Sequence, residues 1–157
     1  MKIISVTFEN NQNIPKKYTC QGENINPPLS FVDIPKNTKS LALVMDDPDA
    51  PTGTFVHWVI FNINPKTSSI AENSFPPGSI QGKNTSLSNE YISPCPPPAS
   101  PEQLQRGESG THRYFFKLYA LDTTLDLELN ADKKDLENAM TGHILDEAHL
   151  VGFYKKE

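Results

Sequence analysis

No basic cluster runs through this chain. Its longest cation runs are lysine pairs, and 14 Lys and Arg against 19 Asp and Glu leave a formal charge of −5. A nucleic-acid partner would call for a basic stripe and an anionic membrane surface for a polybasic segment, so neither is expected. Long apolar runs are missing too: nothing approaches the ~20 residues of a membrane-spanning helix, and no stable membrane insertion is expected. The opening "MKIISVTFEN" has one lysine and a short apolar stretch broken by Glu9. That is no secretory signal, and a cytoplasmic location is the expectation. Cysteine is scarce, with Cys20 and Cys95 far apart in sequence. Without a secretory signal, free thiols are the expectation for both, with a disulfide between them as the lesser alternative.

Proline, by contrast, is abundant. The 14 prolines cluster at 76–77 and in "PCPPPASP" at 94–101, which excludes a helical bundle and suits strands joined by shaped loops. The 157 residues are enough for one domain. Strands are predicted at 39–46, 54–63 and 112–122, with weaker ones at 2–8, 29–33, 125–129 and 149–154. Simple alternation puts Phe55, His57, Val59 and Phe61 on one face of the second strand, and Val56, Trp58 and Ile60 on the other. An amphipathic helix is predicted over 132–141, with Asn130 or Asp132 as cap, Leu136, Ala139 and Met140 facing inward, and Gly142 ending it. The segment 72–111 is long, polar and aperiodic, the kind of loop that carries function or lacks order. A mostly β, antiparallel fold with a long central loop and a C-terminal helix follows.

The stretch "DDPDAP" (46–51) ends the apolar run "SLALVM". A turn needs one Asp at most, and a buried carboxylate without a partner is costly, so three acids here require water or partners. Further along lie His57, followed by Trp58, and then His112 and Tyr114, spaced by two and therefore on one strand face. Converging strand ends would gather two carboxylates, two imidazoles and a phenol. Arg113, on the opposite face, reads as a surface ion-pair residue.

In order and spacing, "DPDAPTG", "HW", "CPP" and "HRYFFKLYALD" resemble the phosphatidylethanolamine-binding protein family, in particular its bacterial branch described as Raf kinase inhibitor-like. "KYTCQGENINPPLSF", "QGKN" and "LENAMTGHILDEAHLVGFY" extend the resemblance over nearly the whole chain. It implies a β-sandwich of two antiparallel sheets with one pocket at a rim, spanning 1–157. It also implies that Asp47 and Asp49 match the family's paired aspartates, and that His57, His112 and Tyr114 match its pocket histidines and tyrosine. Cys95 and Pro96 fall where the family has a small residue and a proline in the pocket wall. The pocket so implied takes small anions, phosphate-like groups or a phospholipid headgroup, without metal or cofactor. One departure is "PASPEQLQRGESGT" between Pro97 and His112, longer than the family's usual link. A lid, a partner-binding flap and a disordered bulge are all open for it.

Non-enzymatic binding of an anionic ligand, with regulation of a protein partner such as a kinase, is therefore the expected function. Two other readings stay open at this point. One is a hydrolase using an Asp/His metal or a Cys95–His pair. The other is an interaction module carried by 72–111 with a vestigial pocket. A homodimer is allowed, since bacterial relatives often pair. Carboxylates beside an anion repel it by about 4 kcal/mol at 4 Å and an effective dielectric of 20, so Asp47 and Asp49 are expected to charge and aim the histidines instead.

Overall fold

The three segments richest in β-branched and aromatic residues become the adjacent strands at the heart of the larger sheet. In the computed structural model, which describes residues 1–156, the strands are β1 (Lys2–Ile4), β2 (Gln12–Asn13), β3 (Leu29–Val32), β4 (Ser40–Asp47), β5 (Phe55–Ile63), β6 (Ser69–Ile70), β7 (Ile80–Gln81), β8 (His112–Leu121) and β9 (Ile144–Tyr154). A 3-10 turn spans Lys16–Tyr18, and the helices are α1 (Pro101–Gln105) and α2 (Lys133–Met140). The smaller sheet has the order β1-β3-β6, and the larger β2-β9-β8-β4-β5-β7. All pairings are antiparallel except that of β2 with β9.

Alternation along β4 divides the interior. Leu41, Leu43 and Met45 join Ile3, Leu29 and Phe31 in the layer between the sheets, while Ala42 and Val44 join Leu136 and Met140 of α2 on the other face. Each Leu, Ile, Val, Phe or Met among them, fully buried, contributes roughly 1.5–3 kcal/mol. The expected helix forms where its stripe predicts, and Asp132 and Asp135 make a reciprocal capping box at its start. Asp132→Ala is expected to lower the urea midpoint by the equivalent of about 1 kcal/mol without changing the slope. The chain turns at Gly142, whose φ is +80°, and the C-terminal helix is followed by β9, which includes the strand expected at 149–154.

Alternation fails in β5. Met45 pairs with Trp58 and Asp46 with Val56, so His57 is an extra residue opposite no partner, a β-bulge. Beyond it the facing inverts. Trp58 and Ile60 lie between the sheets, on the side to which Tyr114 belongs, while Val59 and Phe61 lie on the helix side. The expected common face of His57, Val59 and Phe61 is thereby corrected. A second bulge, between the pairs Leu41–Ile63 and Leu43–Ile60, includes Asn62 at φ +54°. The Asn62 amide donates to the Leu125 carbonyl and accepts from the Leu125 N–H, both at 2.8 Å. The Leu125 backbone is thus paired by a side chain, and the strand expected at 125–129 does not form.

The long 72–111 segment covers the edge of β5, since β7 pairs with only two of its residues. Gly82 N–H donates to Val59, Thr85 N–H to Val56 and Ile92 N–H to His57. An unpaired edge is so closed by loop backbone.

Candidate functional site

Each acid of "DDPDAP" (46–51) has its own cationic or imidazole partner. Asp46 points to the helix side, buried, and its Oδ2 accepts from Lys117 Nζ at 2.8 Å and Lys133 Nζ at 2.6 Å. Asp47, one residue on, points the other way. Its Oδ1 accepts the Asp49 N–H at 2.8 Å, and its Oδ2 accepts from His112 Nδ1 at 2.7 Å. One carboxylate therefore closes the turn and aims the ring. Asp49 accepts the Arg113 N–H and Nε at 2.9 Å and Nη2 at 2.7 Å. This fork tethers the β4–β5 turn to the start of β8, and the guanidinium holds the Asp49 carboxyl below its usual range. The expectation that both aspartates serve the histidines is corrected: Asp47 serves His112, and Asp49 serves Arg113.

His57 is aimed by backbone. Its Nδ1 donates to the Ile92 carbonyl at 2.7 Å, while Ile92 N–H donates to the His57 carbonyl at 3.0 Å. Burial pushes the ring's pKa below the usual imidazole value, outweighing the Ile92 carbonyl and the Asp47 and Asp46 charges. His57 is consequently neutral near pH 7, against the expectation of a ring kept charged. With Nδ1 carrying the proton, its Nε2 presents a lone pair.

Asp47, His57, Cys95, Pro96, His112 and Tyr114 line one pocket of about 180 Å³, together with Phe55, Ile92, Ser93 and Pro97. The His57 ring stacks edge-on to Tyr114 at 5.3 Å and lies 4.8 Å from Phe55. The Tyr114 hydroxyl is buried without a hydrogen-bond partner among the described residues. Burial, with the Asp47 charge next, raises its pKa, so it stays a neutral donor. Asp49 lies outside this pocket. It lines a neighbouring groove of about 720 Å³, with Gln103, Glu108, His112 and Arg113, and His112 borders both spaces.

The 98–111 stretch that flanks this groove includes the short helix α1 (Pro101–Gln105). Ser100 and Gln103 form a capping box, with Pro101 in the first turn. Gly110, at φ +70°, returns the chain so tightly that a Cβ would lie 2.8 Å from the Ala99 nitrogen.

The cysteines are joined. Cys20 and Cys95 form a disulfide, with Cα atoms 5.4 Å apart, so the free thiols expected for them are corrected. Sequence distance misled here, because the loop after the 3-10 turn folds back and Cys20 N–H donates to Pro94 O. A bonded Cys95 sulfur is no nucleophile. Sequence reasoning also missed Ile92, Phe55, Ser93 and Pro97. A backbone carbonyl has no residue-type signature, and "CPP" was the only available hint for that wall.

Residues 4–155 match the phosphatidylethanolamine-binding protein family. A UPF0098 protein of Methanothermobacter thermautotrophicus is 49% identical, with 99% of each chain covered. Another, from Aquifex aeolicus, is 44% identical over 100% of this chain and 90% of its own. The crystal structure of a phosphatidylethanolamine-binding protein homolog from Chlamydia trachomatis superposes with a TM-score of 0.89 at 41% identity, covering 99% of this chain and 97% of that one. E. coli YbcL shares the fold, with a TM-score of 0.86 at 22% identity over 99% and 98% of the two chains. The chain belongs to the phosphatidylethanolamine-binding protein family.

Proposed function

We propose that the pocket between β4, β5, β8 and residues 92–97 binds a small anionic group, phosphate-like in shape, as a ligand and not as a substrate. The observation that carries this reading is the Tyr114 hydroxyl, a buried donor with no partner of its own, beside two imidazoles whose Nδ1 atoms are already engaged. A buried polar group left unpaired costs about 1–3 kcal/mol, and an oxygen-rich ligand removes that cost. What supports a binding role is that Asp47 and Asp49 are each committed to a partner, His112 and Arg113. A phospholipid headgroup and a phosphorylated side chain present the same anion to this pocket. Control of a protein partner, a kinase among them, would follow from occupying it.

The neutral His57 ring offers a lone pair at Nε2, so an anion must bring a proton or draw one onto that ring. Binding is therefore coupled to proton uptake, by up to about tenfold in affinity per pH unit for one proton. Sulfate is the suitable probe, because it does not itself titrate between about pH 5 and 8. Calorimetry should give affinity that rises as pH falls through that range, with the His57 share appearing below about 6.5, the unperturbed value. A flat profile would eliminate the imidazolium mechanism.

The ligand-free protein has the opposite trend. A histidine held neutral by burial contributes stability that is complete above about pH 6.5 and is lost as pH falls through its depressed folded pKa. Tyr114→Phe separates function from folding. Sulfate affinity should drop about tenfold or more, as for a lost hydrogen bond to a charged group. Thermal stability should hold or rise, since the hydroxyl has no partner to lose. Wild-type sulfate affinity in Tyr114→Phe would overturn the proposal.

A further inference from the structure

The pocket wall is built from residues that cannot be woven into a sheet. Between 94 and 98 four of five residues are proline, and Cys95 is the exception. Proline has no N–H to offer a neighbouring strand, and no strand or helix includes this stretch. Upstream, the wall carries Ile92, which holds the His57 ring and backbone. Besides these Ile92 bonds, the wall is tied to the rest of the molecule through residues 18–24, at and after the 3-10 turn. Tyr91 donates to Tyr18 O at 3.1 Å, Asn24 accepts the Ser93 N–H at 3.2 Å, and Cys20 N–H donates to Pro94 O at 3.1 Å. These lie at the long end of the hydrogen-bond range. The Cys20–Cys95 bond is the covalent member of the set, and both cysteines are exposed residues.

We infer that the Cys20–Cys95 disulfide is a thiol-exchange site whose opening loosens the pocket wall and weakens anion binding. The inference rests on the proposed ligand pocket for its consequence, though not for its chemistry. The reductant is a dithiol. Its thiolate attacks one sulfur of the pair, forming a mixed disulfide and expelling the other cysteine as a thiolate, which takes a proton from water. The second thiol of the reductant then displaces the remaining cysteine, so two electrons pass to the protein and the reductant leaves as a disulfide. Access decides whether this occurs in the folded state, and exposed cysteines provide it.

Loss of the staple leaves 91–97 held to residues 18–24 by three hydrogen bonds, besides the paired bonds between Ile92 and His57. The Ile92 carbonyl that orients His57 then samples more positions, and ligand binding must re-order the wall. Ordering a few side chains and their backbone costs enough to lower affinity about tenfold.

The test compares the full chain, oxidised and after dithiothreitol at neutral pH under native conditions. Thiol titration should rise from none to both cysteines. Amide exchange at Tyr91, Ile92, Ser93 and Cys95 should accelerate, His57 ring resonances should shift, and sulfate should bind about tenfold more weakly. Re-oxidation should restore all four readouts, and Cys20→Ser should reproduce the reduced amide exchange, His57 resonances and sulfate affinity with or without reductant. A disulfide that resists dithiothreitol in the folded chain would overturn the inference. So would a reduced chain with unchanged amide exchange and unchanged sulfate affinity. If the oxidised protein binds no sulfate, the proposed function fails, and amide exchange with His57 resonances alone decides whether the disulfide controls the wall.

Discussion

Converting both Lys117 and Lys133 to methionine is expected to lower the unfolding free energy by about 3–5 kcal/mol, the range for a buried charge stripped of its partners. Asp46 is 1% exposed and its Oδ2 receives both ammonium groups, while its Oδ1 has no hydrogen-bond partner among the described residues. The lysines are different: each keeps about a fifth of its side chain in contact with water, 22% and 20%. Removing the acid leaves cations that can turn outward, whereas removing the cations traps the acid. Asp46→Asn alone should therefore cost less than the double lysine variant. Adding Asp46→Asn to the double variant should recover much of the loss, because an ion cluster replaced as a unit leaves no orphaned charge. Urea denaturation of the four proteins decides the matter. A double lysine variant as stable as wild type would show that Asp46 reaches solvent or another partner.

Removing the disulfide by Cys20→Ser with Cys95→Ser should cost about 4.5 kcal/mol at 25 °C. That follows from the chain-entropy relation applied to a sequence separation of 75 residues. The effect acts chiefly on the unfolded chain, which regains conformations that the cross-link forbids. A domain with ordinary stability of about 5–15 kcal/mol stays folded after such a loss, so its pocket can still be assayed. The expected signature is a lower denaturation midpoint for the double serine variant and a matching fall when wild type is denatured with reductant. Equal midpoints for oxidised and reduced wild type would contradict the cross-link.

Much of the fold was legible because its strongest elements are locally encoded. The runs at 39–46, 54–63 and 112–122 are dense in β-branched and aromatic side chains, and they become β4, β5 and β8 with ends moved by one residue or less. The stripe of α2 and its Asp132 cap were readable for the same reason. The start of β9 was not. "ILDE" (144–147) is mostly exposed and lacks alternation, yet it pairs along β8 from Leu121 to Tyr119, so the neighbouring strand supplies what the local pattern does not. The strand expected at 2–8 stops at Ile4, where Ser5 turns the chain by bonding Thr7 and the Pro28 carbonyl.

The site divides along the same line. Residue types and spacing were sufficient to nominate Asp47, His57, His112 and Tyr114, and the pocket includes all four. Their pairings were not readable. Asp49 was assigned to a histidine and binds Arg113, and His57 was assigned a carboxylate and is held by the Ile92 carbonyl.

From sequence alone came the β-rich architecture, the position of the helix, the family and the set of side chains at the rim, because hydrophobic period, propensity and motif order are properties of neighbouring residues. Tertiary structure decided which acid meets which cation, the bulge that turns His57 into the pocket, and the bond between Cys20 and Cys95. Those choices depend on distances of a few ångströms between segments remote along the chain. Such distances exist only once the loops have closed.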